Sequence, residues 1–125
     1  MKTLLVLGFG VVGVACRFAL NELGMRYARS SFPIVTLSIN VLGSFAIGCV
    51  AVAALEKGAI SENVRVALMV GLLGGFTTFS AFSLETLALW ESEQRLLALG
   101  YAVGSPVLGI LAAFLGMAFT RSVLG

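Results

Sequence analysis

The sequence predicts an all-α membrane protein: one domain over residues 1–125 with four transmembrane helices, the third broken near mid-membrane, assembled as an antiparallel dual-topology homodimer. Three observations predict the spans and the break, and the balance of charges described below suggests the pairing. Hydrophobic residues make up 59% of the chain and charged residues 11%, with a mean hydropathy of +1.06, whereas a soluble domain is about a quarter charged. The charges are placed so that four long uncharged runs remain. Within the third run, Gly74-Gly75-Phe76-Thr77-Thr78-Phe79-Ser80-Ala81-Phe82-Ser83 loosens the helix with paired glycines and threonines. Backbone groups freed in lipid cost several kcal/mol each unless they bind something or line a protected cavity.

The runs set the helices. Thr3 to Cys16 is uncharged, Arg17 interrupts, and apolar sequence resumes to about Leu23. Ser30 to Leu55 is uncharged, as are Val66 to Leu84, continuing past Glu85 to about Trp90, and Leu96 to Thr120. A span needs about 20 residues, which gives helices over roughly 3–23, 34–55, 64–90 and 96–120. Short connections make neighbours antiparallel, and an even number puts both termini on one side. Lys2 before an apolar run imitates a signal peptide, and Gly13-Val14-Ala15-Cys16 imitates a lipoprotein cleavage site. Gly13 stands where that site wants an aliphatic residue, and Arg17 is followed by more apolar sequence, so a retained helix is expected.

Orientation normally follows the excess of Lys and Arg on the cytoplasmic side. One side carries Lys2, Lys57, Arg65 and Arg121, the other Arg17, Arg26, Arg29 and Arg95. Four against four gives no instruction, which favours copies inserted both ways and paired antiparallel over a weakly biased single orientation. The net charge of +2 is too small to suggest a nucleic-acid partner.

Several motifs have bland explanations. Gly8-Phe9-Gly10-Val11-Val12-Gly13 matches the dinucleotide-binding fingerprint, but that fingerprint needs a strand-turn-helix unit. Small residues in a membrane helix instead allow close packing. The same is expected of Gly71 with Gly75 and of Gly100 with Gly104. Cys16 and Cys49 are expected to be free thiols acting as small packing residues. The chain has no histidine, which removes imidazole metal sites and His-based proton relays.

Other residues point to anion chemistry. Asn40, Ser44 and Gly48 share one face of the second helix. The Asn40 carboxamide has two donors and an acceptor to satisfy, either across helices or by offering its NH₂ to an anion. Phe79 and Phe82 stand three apart on one face, with the hydroxyls of Ser80, Ser83 and Thr86 alongside. An aromatic ring is positive at its edge, so ring edges can line an anion path without a full charge. Conduction needs binding weak enough to release the ion. Tyr101 and Ser105 form a hydroxyl stripe in the fourth helix, where Pro106 is expected to kink the chain and free a carbonyl. Arg17 and Glu85, near the ends of their spans, are candidates for a vestibule or for structural pairing.

Taken together, these residues resemble the Fluc (CrcB-type) fluoride channels. Gly74 to Ser83 is similar to the helix-three signature, Thr36-Leu37-Ser38-Ile39-Asn40-Val41-Leu42-Gly43-Ser44-Phe45 to the helix-two signature, and Gly13 with Arg17 to the helix-one pattern. The resemblance covers essentially the whole chain. It implies a fluoride-selective passive channel of the prokaryotic inner (plasma) membrane, an antiparallel homodimer with two pores. It also implies that Phe79 and Phe82 line the pores with ring edges and that Asn40 donates to the ion. A structural sodium ion at the dimer centre would be held by backbone carbonyls of Gly74 and Thr77 from both subunits. Tyr101 and Ser105 match the start of the family's polar track on helix four. Members often place another hydroxyl one turn on, and here that position is Gly109.

Two other functions compete. A small drug–proton antiporter shares the length and the antiparallel dimer but needs a membrane-embedded carboxylate in helix one, where the sequence has none before Glu22. A non-transporting membrane subunit would tolerate apolar replacements of Asn40, Phe79 and Phe82. No nucleophile–base pair or metal cluster suggests an enzyme.

Overall fold

A computed structural model describes all of residues 1–125. Each uncharged run is built mainly of helix, as lipid requires of a chain whose backbone groups can pair only with one another. The first helix is Lys2–Tyr27. The second is Ile34–Ala51, carried on by a π-helical turn over Val52–Glu56. The third span begins as Glu62–Val66, widens into a π-helix over Ala67–Leu73 and tightens over Gly74–Phe76. It stops there and restarts as Phe79–Glu91. The fourth helix is Arg95–Leu124, unbroken through Pro106. All four segments are long and apolar enough to cross a membrane.

The helices outrun the charge-free segments. The first continues past Leu23 to Tyr27 because Glu22 and Arg26 are exposed at its end, where water can solvate them without unwinding the backbone. Arg17 therefore lies in the body of that helix rather than near its end. Gly58, at φ +61°, closes the second helix. Lys57 N–H donates to the Val52 carbonyl at 3.1 Å and Ala59 N–H to the Ala53 carbonyl at 2.8 Å, and a left-handed residue at that point favours glycine.

Ion pairs and hydrogen bonds fix which ends lie together. Lys2 Nζ meets Glu62 at 2.8 Å, joining the starts of the first helix and the third span. Arg121 Nε donates to Glu56 at 3.0 Å, joining the ends of the second and fourth helices. At the opposite end Ser31 Oγ donates to Gln94 Oε1 at 2.6 Å. The result is an up-down bundle in which the first helix packs on the third span and the second on the fourth.

Both pairings are close because they lack side chains at the crossing. A Cβ on Gly13 would lie 2.1 Å from the Leu72 carbonyl oxygen, and one on Gly75 would lie 2.8 Å from that of Gly10. On the other side, Gly48 meets Ala113 and Gly116 meets Phe45 in the same way, at 2.2 and 2.1 Å. Gly71 fits the expectation of close packing. Gly100 and Gly104 do not: a Cβ on either would find nothing within 4 Å, because that face of the fourth helix is turned out of the protomer.

Only 16 of 125 residues are buried, while Leu4, Val11, Phe18 and Ile110 are among many exposed apolar side chains. Such an outer surface suits lipid or another apolar protein face. The small interior cluster of Leu89, Ala98 and Tyr101, with Phe32, Leu37 and Phe82 against it, anchors the restarted half of the third span to the second and fourth helices.

Candidate functional site

The interruption in the third span is built by two residues. Thr77 (φ −80°, ψ 158°) and Thr78 (φ −149°, ψ 120°) are extended, so the helical ladder lapses between Gly74–Phe76 and Phe79–Glu91. Most of the orphaned groups find partners from other helices. Asn40 accepts from Thr78 N–H through Oδ1 at 2.8 Å and donates from Nδ2 to the Thr78 carbonyl at 2.9 Å. Arg17 Nε donates to the Gly75 carbonyl at 3.0 Å. Thr78 Oγ1 caps the restarted helix by accepting from Ala81 N–H at 3.2 Å. Gly43 makes the approach possible, since a Cβ there would lie 2.2 Å from the Thr77 methyl. None of the hydrogen bonds outside the regular helices ends on the carbonyl of Gly74 or Thr77.

Beside the break lies a cavity of about 450 Å³. Six sequence-predicted residues line it: Asn40, Gly74, Thr77, Phe79, Phe82 and Ser105. With one Nδ2 hydrogen on Thr78, the Asn40 carboxamide keeps a second N–H free. The rings of Phe79 and Phe82 are 5.6 Å apart between centroids at 53°. Phe82 rests on Tyr101 at 4.9 Å, and Tyr101 rests edge-on against Phe32 at 5.5 Å. Phe79 is 78% exposed on the protomer surface.

The remaining predicted residues are placed elsewhere. Ser83 Oγ donates to the Phe79 carbonyl at 3.0 Å and Thr86 Oγ1 to that of Phe82 at 2.7 Å, so both hydroxyls are occupied along their own helix. Ser80 is exposed, 3.4 Å from Thr78 Oγ1. Tyr101 is 1% exposed and donates to Glu85 Oε2 at 2.9 Å, while Thr36 Oγ1 donates to Glu85 Oε1 at 2.6 Å. Glu85 is thus tied between the second and fourth helices, and Arg17 is tied to the break.

Two partners escaped sequence reasoning. Thr78 carried a usable signal, a threonine immediately before a resumed apolar helix. Thr36 carried none, because nothing local links it to a glutamate 49 positions away.

Four apolar spans, the third interrupted beside an open cavity lined by an amide, hydroxyls and aromatic rings, define a polytopic helical membrane protein with a few polar groups gathered at a broken helix. Comparison with known sequences narrows the class. The family model described as CrcB-like protein, Camphor Resistance (CrcB), matches residues 4–117. The fluoride-specific ion channel FluC of Granulibacter bethesdensis is 42% identical over 125 residues, covering 99% of this chain and 98% of the relative. The FluC proteins of Methylobacillus flagellatus (98% and 97% covered) and Rhizobium meliloti (97% of each) are also 42% identical. The chain belongs to the CrcB family, and it is a multi-pass protein of the bacterial plasma membrane.

Proposed function

We propose that the protein is a fluoride-selective passive channel, not an enzyme, that lets fluoride leave the cytoplasm and so confers fluoride resistance. One observation carries the proposal: Asn40, Phe79, Phe82 and Ser105 converge on one cavity at the N-terminal end of the helix Phe79–Glu91. A helix N-terminus presents partial positive charge and free N–H groups to an anion. Ring edges and neutral donors add attraction without a lysine or arginine in the lining, and that balance lets an ion both enter and leave. Full-length similarity to proteins named fluoride-specific channels supports fluoride as the ion.

The driving force needs no coupling device. Hydrogen fluoride crosses membranes neutral and dissociates at cytoplasmic pH. An inside-negative potential then favours outward movement of the anion by about 2.3 kcal/mol per 100 mV.

The functional unit is proposed to be an antiparallel, dual-topology homodimer with two pores. The exposed ring of Phe79 and an open apolar groove along Val11, Val14, Phe18, Gly74 and Gly75 support it, because a second copy packed there would bury apolar surface that the protomer leaves uncovered. The break would then meet its twin on the twofold axis. Carbonyls of Gly74 and Thr77 that lack N–H partners suit a hard cation such as sodium, which unwound backbone in membrane proteins binds. A structural sodium ion there would supply positive charge at the dimer centre.

A drug–proton antiporter fits less well, since the carboxylate of Glu85 is already held by two hydroxyls. The test is fluoride efflux from liposomes containing the purified protein, read with a fluoride electrode after a potassium ionophore is added, with chloride loaded in parallel. Fast fluoride release without chloride is expected. Phe79→Ile and Phe82→Ile should each reduce it at least tenfold while the dimer persists. No release from intact wild-type dimers would reject the channel.

A further inference from the structure

Resting on the fluoride-channel reading above, we propose that the Ser44 hydroxyl, on the second helix, supplies the anion path with the donor that the fourth helix lacks at Gly109. Ser44, Ser105 and Gly109 line the same cavity as Asn40. Ser105 is followed one turn later by Gly109, where the hydroxyl stripe of the fourth helix ends for want of a side chain. A Cβ built on Gly109 would lie 3.4 Å from Ser44 Oγ. The Ser44 oxygen therefore reaches, from the opposite helix, the space that a side chain at 109 would enter.

The hydrogen-bond pattern separates this from simple packing. Serines and threonines inside helices commonly donate back to the carbonyl a turn earlier. Ser38, Ser83, Thr86 and Thr120 all do so. Thr36 and Thr77 are bonded as well. Within the second helix, the third span and the fourth helix up to Thr120, Ser44 and Ser105 are the two helical hydroxyls that take no protein partner, and both face the cavity. No buried side-chain oxygen lacks a partner, so both hydroxyl oxygens are open to the cavity, where water or an ion can bond them. Ser44 also follows Asn40 by four residues, which stacks it on the same face. The free N–H of Asn40, the Ser44 hydroxyl and the Ser105 hydroxyl thus form a short row of donors spanning two helices, able to replace part of the hydration of a small anion.

The experiment measures fluoride efflux and its dependence on fluoride concentration for reconstituted wild type, Ser44→Ala, Gly109→Ser and the double variant, each checked as a dimer by size. Ser44→Ala is expected to slow fluoride efflux about tenfold, the factor that one lost hydrogen bond to a charged group carries. Gly109→Ser alone should change little. In the Ser44→Ala background, where the oxygen facing position 109 is gone, Gly109→Ser should restore most of the flux. Ser44→Cys, similar in volume but a weak donor, should be slow as well, and it takes the place of Ser44→Ala if that variant yields no intact protein.

Wild-type flux in Ser44→Ala overturns the proposal and leaves the channel standing. A slow Ser44→Ala that Gly109→Ser does not rescue assigns Ser44 to packing and overturns it too. A wild type that carries no fluoride overturns the channel itself, and this proposal with it.

Discussion

Asn40 holds the interrupted backbone with two short hydrogen bonds to one residue, Thr78, and still keeps an N–H for the cavity. Asn40→Asp separates these roles. It retains an acceptor for Thr78 N–H but sets an oxygen against the Thr78 carbonyl and puts negative charge in the proposed anion path. Fluoride flux should vanish, and stability in detergent should drop by about 1–3 kcal/mol, the cost of an unmet buried hydrogen bond. Chemical denaturation of the purified variant checks this, and unchanged stability would remove Asn40 from the support of the break. Much of the cavity lining was legible at this scale because Asn40, Phe79, Phe82 and Ser105 differ in type from their apolar surroundings. Their partners were not legible. The pairing of Asn40 with Thr78 and of Arg17 with Gly75 joins positions 38 and 58 apart, and the neighbours of those residues in sequence say nothing of it. Ser83 and Thr86, hydroxyls on the same helix as those phenylalanines, donate to carbonyls of their own helix, which their sequence positions alone did not reveal.

Among the helices, glycine acts by position rather than by frequency. Gly13→Ala pushes a methyl to 2.1 Å from a carbonyl oxygen on the third span, whereas Gly100→Ala meets nothing within 4 Å. The first should cost about 3 kcal/mol or more through separation of two packed backbones and shift the purified protein toward aggregates on size exclusion. The second should leave the protomer fold intact. Equal tolerance at the two sites would contradict the packing described for the first helix. The sequence showed that glycines recur on shared faces, but which faces meet depends on how helices rotate in the bundle. The π-helical stretches Val52–Glu56 and Ala67–Leu73 were equally invisible, since their composition is that of an ordinary membrane helix. The spans themselves were easier to place, because charges in lipid are costly and their absence marks the bilayer.

At the scale of the whole molecule, the proposed antiparallel pairing predicts that the chain inserts both ways. With Cys16 and Cys49 replaced by alanine and a single cysteine introduced at Ala59, an impermeant thiol reagent should reach one fraction of the copies from outside the cell and the remainder only after permeabilisation. Access from one side alone would exclude dual topology. Arg17 bears on how even that division is. Its guanidinium is drawn into the bundle to serve the Gly75 carbonyl, which leaves Lys2, Lys57, Arg65 and Arg121 at the end that carries the termini against Arg26, Arg29 and Arg95 at the other. Under the proposed pairing, a population balanced on so narrow a margin has little ballast: one arginine gained or lost in a connecting loop would strand most copies without a mate of opposite sense, so the proposed resistance would be lost as readily through innocuous-looking loop substitutions, by a shortage of pairs, as through damage to the cavity.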